Sequence, residues 1–543
     1  MSLQVSRLLR SRAVVATAIA TAVSLVFVAA GSGRSEATRQ YLVVFKPGMT
    51  SAGLHAVARL GGKITERNKL GIATVRASNR EFPVQLRHSP AVQGVARNAY
   101  FKEPRLKVTP VRTPAAATAF PDVATQATGC ANQYNPPGGT GVGPDPLSVC
   151  QWDMRIINAS PAGSYAVNQG LGAKVGIMDT GVDLTHPDVA PNLNVALSCS
   201  FIRPTTPTSL PQEWETTNNC STKSAVQDYA GHGTHVAGEV AAPINGIGVA
   251  GVAPRATLVA LKAGTADGFF FTQEVVDALT YAGDKRLDVV NMSFFADPFL
   301  FNCKNDAEQR AIVAAISRAT QYAHDQGVVL VAAAGNESID LDHPTSDEIS
   351  PDYPPGVAVS RPVGNNCVIA PGELPGVAAV SAVGPKRKLS WYSSYSNSKV
   401  DVTAPGGSSG QAPNPFGRVL NAWSSTAPFT AGGNPTRTVQ DCTGSVCVYY
   451  AWIQGTSMAS PHAAGVAALI RSKYPDMPPS AVVATLQQTA MAMACGGEEA
   501  ADAFFTLQGN AETNCTGNRN ANVSGQTNFY GDGLADALAA ALR

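Results

Sequence analysis

Three residues far apart in the chain, Asp179, His232 and Ser457, carry side chains from which chemistry could be built. Ser457 stands in QGTSMASPHAAG (454–465), just ahead of small and apolar residues that read as a buried helix. Pro461 fits such a helix near its first turn, where few N–H groups have partners. A serine at that helix mouth can attack a carbonyl while its own N–H holds the oxyanion that forms. It needs a base. His462 lies five residues on and, at about 100° per residue, points away from Ser457. In DYAGHGTHVAG (228–238), His232 sits between two glycines at another helix start, which lets backbone and substrate come close. In AKVGIMDTG (173–181), Asp179 ends an apolar strand. A buried acid there needs a partner, and an imidazole N–H is one. Acyl transfer through serine is the chemistry this combination can do.

The elements that must position these groups read as α/β. Val175–Met178, Thr257–Leu261, Val289–Met292 and Val328–Val331 are apolar runs of buried parallel strands, with helical patterns over Thr272–Ala282 and Ala307–Asp325 between them. Sites in such sheets form at the carboxyl ends of strands, which is where Asp179 stands. His235, three residues after His232, makes an HxxH pair, but no carboxylate completes a familiar zinc motif. His235, Ser460 and His462 therefore read as packing residues.

The motifs DTGVDLTHPDV, GHGTHVAG and GTSMASPHAAG, in that order, resemble those of the subtilisin-like serine proteases. The resemblance runs from about Tyr41 to the C-terminus, with gaps at a linker and at two insertions, 337–371 and 406–450. It implies a three-layer fold with a mostly parallel central sheet and the catalytic roles of Asp179, His232 and Ser457. Asn336, in VAAAGNE (331–337), matches the oxyanion donor. Ser293, Phe294, Phe295, Ala334, Gly335 and Gly268 match substrate-binding positions. Phe295 and Ala296 replace smaller residues of the family, and Asp267-Gly-Phe-Phe-Phe271 is unusually aromatic. These two segments lead to an expected preference for apolar side chains on the acyl side of the cut bond, or else to phenylalanines packed beneath the inserted loops. The resemblance further implies one structural calcium ion, held by Asp188, Asn245, Gln151 and the carbonyls of Pro243, Ile247 and Val249. Oxygen donors suit that ion. No organic cofactor is expected. A G-x-S-x-G elbow, which an esterase of the α/β-hydrolase type would carry, is absent around Ser457.

Arg7, Arg10 and Arg12 precede an uncharged run, Ala13–Ala30, and small residues follow, so residues 1–37 read as a cleaved export signal. Residues 41–103 lack cysteine and read as a small α+β module, similar to the inhibitor-type propeptide of the same family, expected to template folding and to plug the groove until cut. Residues 104–149, rich in Pro, Gly, Ala and Thr, read as a linker holding the cut, and 150–543 as the catalytic domain. The 10 cysteines all lie at or after Cys130 and form no CxxC pair, which points to disulfides in an oxidising compartment, with neighbours such as Cys199 and Cys220 or Cys442 and Cys447 paired. A net charge of +1 and the lack of a basic block argue against nucleic acid as a partner. The expectation is a secreted, monomeric endopeptidase acting on polypeptides, with no stable membrane anchor.

Overall fold

Strands that read as apolar at every position call for cover on both faces, and the sheet they build has it. A computed structural model describes residues 38–98, 120–133, 143, 145–210, 213, 220–427, 437–443, 446–493, 515 and 527–543. The expected export signal, much of the expected cut region and Cys495 lie outside the described residues. Seven parallel strands form the central sheet: β1 (Lys174–Asp179), β2 (Cys199–Ser200), β3 (Thr257–Lys262), β4 (Val289–Met292), β5 (Val329–Ala333), β6 (Val377–Val383) and β7 (Val402–Pro405). Their order is β7-β6-β5-β4-β1-β3-β2.

Alternation along the strands sends successive side chains to two cores. Val289 and Val331 pack with Val236 of helix α1 (His232–Ala241) and Ala463 of helix α4 (Thr456–Lys473). Val290 and Leu330 pack with Val275 of α2 (Thr272–Asp284) and Ile312 of α3 (Ala307–Asp325). Helix α3 starts where Asp306 accepts hydrogen bonds from the N–H groups of Glu308 and Gln309, at 2.8 and 2.9 Å. The expected three-layer α/β architecture is thus the observed one.

The N-terminal module is a four-stranded antiparallel sheet in the order 63–67, 72–77, 39–45, 92–97, with helices Thr50–Arg59 and Phe82–Arg87. Its first strand explains its own composition. Tyr41, Val43 and Phe45 fill the module's core, while Leu42 and Val44 join the core formed with α2 and α3. The edge strand Lys63–Arg67 and the helix Phe82–Arg87 have no counterpart in the sequence reading, the strand because it is polar and largely exposed.

The stretch read as a linker is not wholly irregular, since it holds the helix Val123–Gln133, joined to the catalytic domain by the Cys130–Cys150 disulfide. Cys199–Cys220, Cys303–Cys367 and Cys442–Cys447 are the other described pairs, so both pairings named from the sequence occur. The 406–450 insertion carries two strands, Val419–Trp423 and Thr438–Thr443, that pair with Val446–Ile453. Among the described residues no helix is long and apolar enough to cross a membrane.

Candidate active site

Asp179 is the last residue of the central strand β1, whose neighbours β3 and β4 lead to opposite halves of the sheet. The site gathers at this point, where the strand order reverses. Met178 pairs with Met292, so Asp179 and Ser293 leave adjacent strands one residue after a shared rung. His232 opens α1 and places Nδ1 2.8 Å from Asp179 Oδ1. Asp179 is fully buried, whereas the His232 side chain is 30% exposed. Burial works against a charged imidazole, but the Asp179 carboxylate outweighs it and raises the His232 pKa above its usual value.

The glycines around His232 are sterically required. A Cβ on Gly231, whose φ is +90°, would lie 2.2 Å from the Trp423 ring, and one on Gly233 would lie 2.1 Å from the Gly181 carbonyl. The loop before α1 is organised by Asp228, which the sequence reading gave no role. Its carboxylate accepts from the N–H groups of Ala230, Gly231 and Thr234 and from the hydroxyls of Thr180 and Thr234. It thereby caps α1 and joins it to the end of β1. An aspartate four residues ahead of a helix-opening histidine was the available signal.

Ser457 is the second residue of α4, and its N–H makes no hydrogen bond among the described residues. Its hydroxyl donates to the Ser293 carbonyl at 3.2 Å, and no hydrogen bond joins it to His232. Pro461 lies in the second turn of this helix, further in than its sequence position suggests. It is accommodated because the Ser457 carbonyl, deprived of a helical donor, accepts from the Ser293 hydroxyl at 2.8 Å. Ser460 and Asn291 extend this chain: Ser460 Oγ donates to Asn291 Oδ1 at 2.6 Å, and Asn291 Nδ2 to Ser293 Oγ at 2.8 Å.

Asn336 follows β5. The Thr456 N–H and hydroxyl donate to its side-chain oxygen at 2.8 and 2.9 Å. A backbone N–H can only donate, so the oxygen must face Thr456 and the amide NH₂ is left for another acceptor. Thr456 also accepts from the Gly335 N–H at 3.2 Å, which ties the two strand-end segments together.

A model of the subtilase family matches residues 170–533. The chain belongs to the subtilase family. Among its relatives is a thermostable alkaline protease of Halalkalibacterium halodurans, 26% identical over 87% of this chain and 92% of the relative. Subtilisin DY of Bacillus licheniformis is 31% identical over 59% of this chain and 85% of its own length. The epidermin leader peptide processing serine protease of Staphylococcus aureus has a similar fold, with a TM-score of 0.62 at 19% identity over 93% of this chain and 98% of that one. The protein is therefore a subtilisin-like serine protease, a hydrolase.

In this subtilase the aromatic segment is partly occupied by its own insertion. Tyr353, from the 337–371 insertion, meets the rings of Phe269 and Phe271 edge-on at 5.3 and 5.2 Å. Those two phenylalanines pack beneath the inserted loop. Phe270 stacks on Phe294 at 4.1 Å and links the two expected groove walls. Phe294 and Phe295 are half-buried, Ala334 is buried, and Gly268 is exposed.

The residues expected around calcium also converge on one loop of the subtilase. Asp188 Oδ2 accepts from the Val249 N–H at 2.7 Å, Asn245 Nδ2 reaches the Pro187 carbonyl at 3.4 Å, and Gln151 bonds both the N–H and the carbonyl of Ala250. Asp145, unread in the sequence, accepts from the N–H groups of Asn245 and Gly246. The carbonyls of Pro243, Ile247 and Val249 accept no hydrogen bond among the described residues. Asp188 Oδ1 and Asp145 Oδ2 are buried and likewise without a partner there. Oxygen atoms left open on one loop fit a divalent cation. Burial, together with the Asp145 charge, pushes the Asp188 carboxyl well above the usual range.

Proposed function

We propose that this chain is exported as an inactive precursor and, once its N-terminal module is removed, cleaves polypeptides through an acyl-enzyme on Ser457. The observation that carries the reading is the 2.8 Å Asp179–His232 hydrogen bond, set where the elements bearing Ser457 and Asn336 meet. As substrate enters, the Ser457 hydroxyl turns from the Ser293 carbonyl to His232 Nε2. It passes its proton to the imidazole as its oxygen bonds to the scissile carbonyl carbon. Asp179 stabilises the imidazolium, which then protonates the leaving amine as the C–N bond breaks. A water deprotonated by His232 hydrolyses the ester and restores Ser457. The Ser457 N–H and the Asn336 amide are the donors for the oxyanion.

The zymogen part of the reading is supported by the docked module. Beyond the shared apolar core, Arg97 pairs with Glu308 at 2.9 Å, Arg203 with Glu66 at 2.9 Å, and Arg318 donates to the Phe45 and Leu70 carbonyls at 2.8 Å. Export is supported by the arginine-led apolar N-terminus and by the disulfides. Calcium, held by Asp188, Asn245, Gln151 and the three open carbonyls with Asp145 beside them, would supply charge to the loop and no chemistry to the reaction.

The test is labelling of the purified mature enzyme with a serine-directed phosphonate. Labelling at Ser457, absent in Ser457→Ala together with casein hydrolysis, is the expected result. A Ser457→Ala enzyme that digests casein at the original rate would overturn the reading.

A further inference from the structure

Four ionisable side chains, each with 0% of its surface exposed, lie in a row behind the proposed reacting groups. His235, one turn after His232 on α1, places Nδ1 2.5 Å from Glu239 Oε1 and Nε2 3.0 Å from the carbonyl oxygen of Ala451. Glu239 Oε2 lies 3.3 Å from Nδ1 of His462, which belongs to α4. That same Nδ1 is 2.7 Å from the carbonyl of Met458, the residue after Ser457. His462 Nε2 is 3.1 Å from Asp153 Oδ2, in the short helix Trp152–Ile156 that follows the Cys130–Cys150 bridge.

Proton counting constrains the row. A carbonyl oxygen only accepts, so Ala451 requires a hydrogen on His235 Nε2 and Met458 one on His462 Nδ1. Each of the two remaining ring nitrogens then shares one proton with an acid, Glu239 or Asp153. The set is neutral although wholly buried. A single charge left there would be costly, so the members depend on one another. Packing alone does not call for two acids from separate segments.

We propose that Glu239 and Asp153 are positioning residues, which act through His235 and His462 to hold the Ser457 helix in register with the His232 helix. The proposal rests on the acyl-enzyme reading above. One end of the row, His235, is a turn from the proposed base, and its third member, His462, grips the carbonyl next to the proposed nucleophile. A displacement of about 1 Å between such groups costs on the order of 100-fold in rate.

Charge supports the geometry. Burial opposes a charged His462, but Asp153 and Glu239 outweigh it and push its pKa up to about 10. Glu239 also adds to the field of Asp179 and Asp228 that raises the His232 pKa. Tyr165 feels Asp153 and Asp145, Tyr392 feels Glu239 and Arg418, and burial raises the pKa of both phenols.

The experiment compares the mature wild-type enzyme with Glu239→Gln, Glu239→Asp and Asp153→Asn well below their unfolding temperatures. Glu239→Gln is expected to lower kcat by roughly 10- to 100-fold with KM within about twofold, and to slow phosphonate labelling of Ser457 by the same factor. Both limbs of its kcat/KM profile should move to lower pH, and Glu239→Asp, which keeps the charge, should recover the acid limb. Unchanged kcat and pH limbs in Glu239→Gln, even with a lowered Tm, would reduce the row to a structural role and overturn the proposal. Where Glu239→Gln does not fold, Asp153→Asn and nitrogen NMR of the intact wild type decide. A doubly protonated ring for His462 at pH 8 is expected, and a neutral His462 there overturns the proposal. Failure of Ser457 to label in the wild type would instead remove the acyl-enzyme reading itself.

Discussion

At the scale of single residues, hydrogen bonding decides which groups are ready to react. The Asn336 amide is presented because Thr456 holds its oxygen from behind. Asn336→Ala should therefore lower kcat by about 10²- to 10³-fold with little change in KM, the loss typical of one missing oxyanion donor in such enzymes. Steady-state kinetics on a peptide substrate checks this, and an equal loss carried by KM would point to ground-state binding instead. In the proposed mechanism His232 must be neutral to accept the Ser457 proton. Its raised pKa places the acid limb of kcat/KM above the free imidazole value of about 6.5, with activity rising as pH rises through it. Asp179→Asn should move that limb down and lower kcat by about 10⁴-fold. A limb that stays in place in this variant would show that Asp179 does not set the imidazole's charge. Asp179 and His232 stand out in the sequence because each is polar where its surroundings are apolar or glycine-flanked, whereas Asn336 stands out only through the resemblance of 331–337 to the family. Thr456 and Asp228 were given no role, because a helix-mouth threonine or an aspartate in the loop before a helix looks ordinary until its partners are known.

At the scale of elements, strand alternation accounts for the composition of the N-terminal module. Residues 41–45 are apolar throughout because one face fills the module and the other meets α2 and α3. The fit is close: a Cβ on Gly94 would stand 2.7 Å from that of Ala311 on α3. Gly94→Val keeps the strand's backbone but wedges the sheet away from the helix, and overpacking of this kind costs about 1–3 kcal/mol. In a Ser457→Ala precursor, which on the proposed reading cannot cut itself, added trypsin should release the module roughly tenfold faster from Gly94→Val. Equal release rates would mean that the α3 contact contributes little to docking. Helices α2 and α3 and strands β1, β3, β4 and β5 were readable from apolar patterning, α3 to the residue, whereas β2, β6 and β7 had no counterpart in the sequence reading. The exposed edge strand at 63–67 and the helix inside the Pro- and Gly-rich stretch were not, since tertiary pairing and a disulfide hold them in place of an apolar pattern. The same holds for Trp423, brought against His232's loop by an insertion whose sheet has no periodic signature around its turns.

At the scale of the whole molecule, the proposed calcium site makes folding depend on an ion at the open oxygens around residues 243–249. Among the described residues, Asp188 and Asp145 each bury a carboxylate oxygen without a hydrogen-bond partner, and no cationic side chain is hydrogen-bonded to either. The loop lies between α1 and β3, and the Gln151–Ala250 bonds connect it to the first turn of the catalytic domain. Two buried acids brought to this loop from separate segments repel each other, and a divalent cation would remove that repulsion while filling the free carbonyl sites. At about 100 times its dissociation constant, such an ion adds about 2.7 kcal/mol to the folded state. Chelator should accordingly lower the Tm of the mature enzyme by several degrees and speed its self-digestion, calcium should restore both, and Tm should keep climbing with the logarithm of calcium concentration. Asp188→Asn removes one charge and should leave a protein whose Tm responds to neither addition. Thermal unfolding by calorimetry separates the outcomes, because a wild-type Tm indifferent to chelator would show that the loop's own hydrogen bonds suffice.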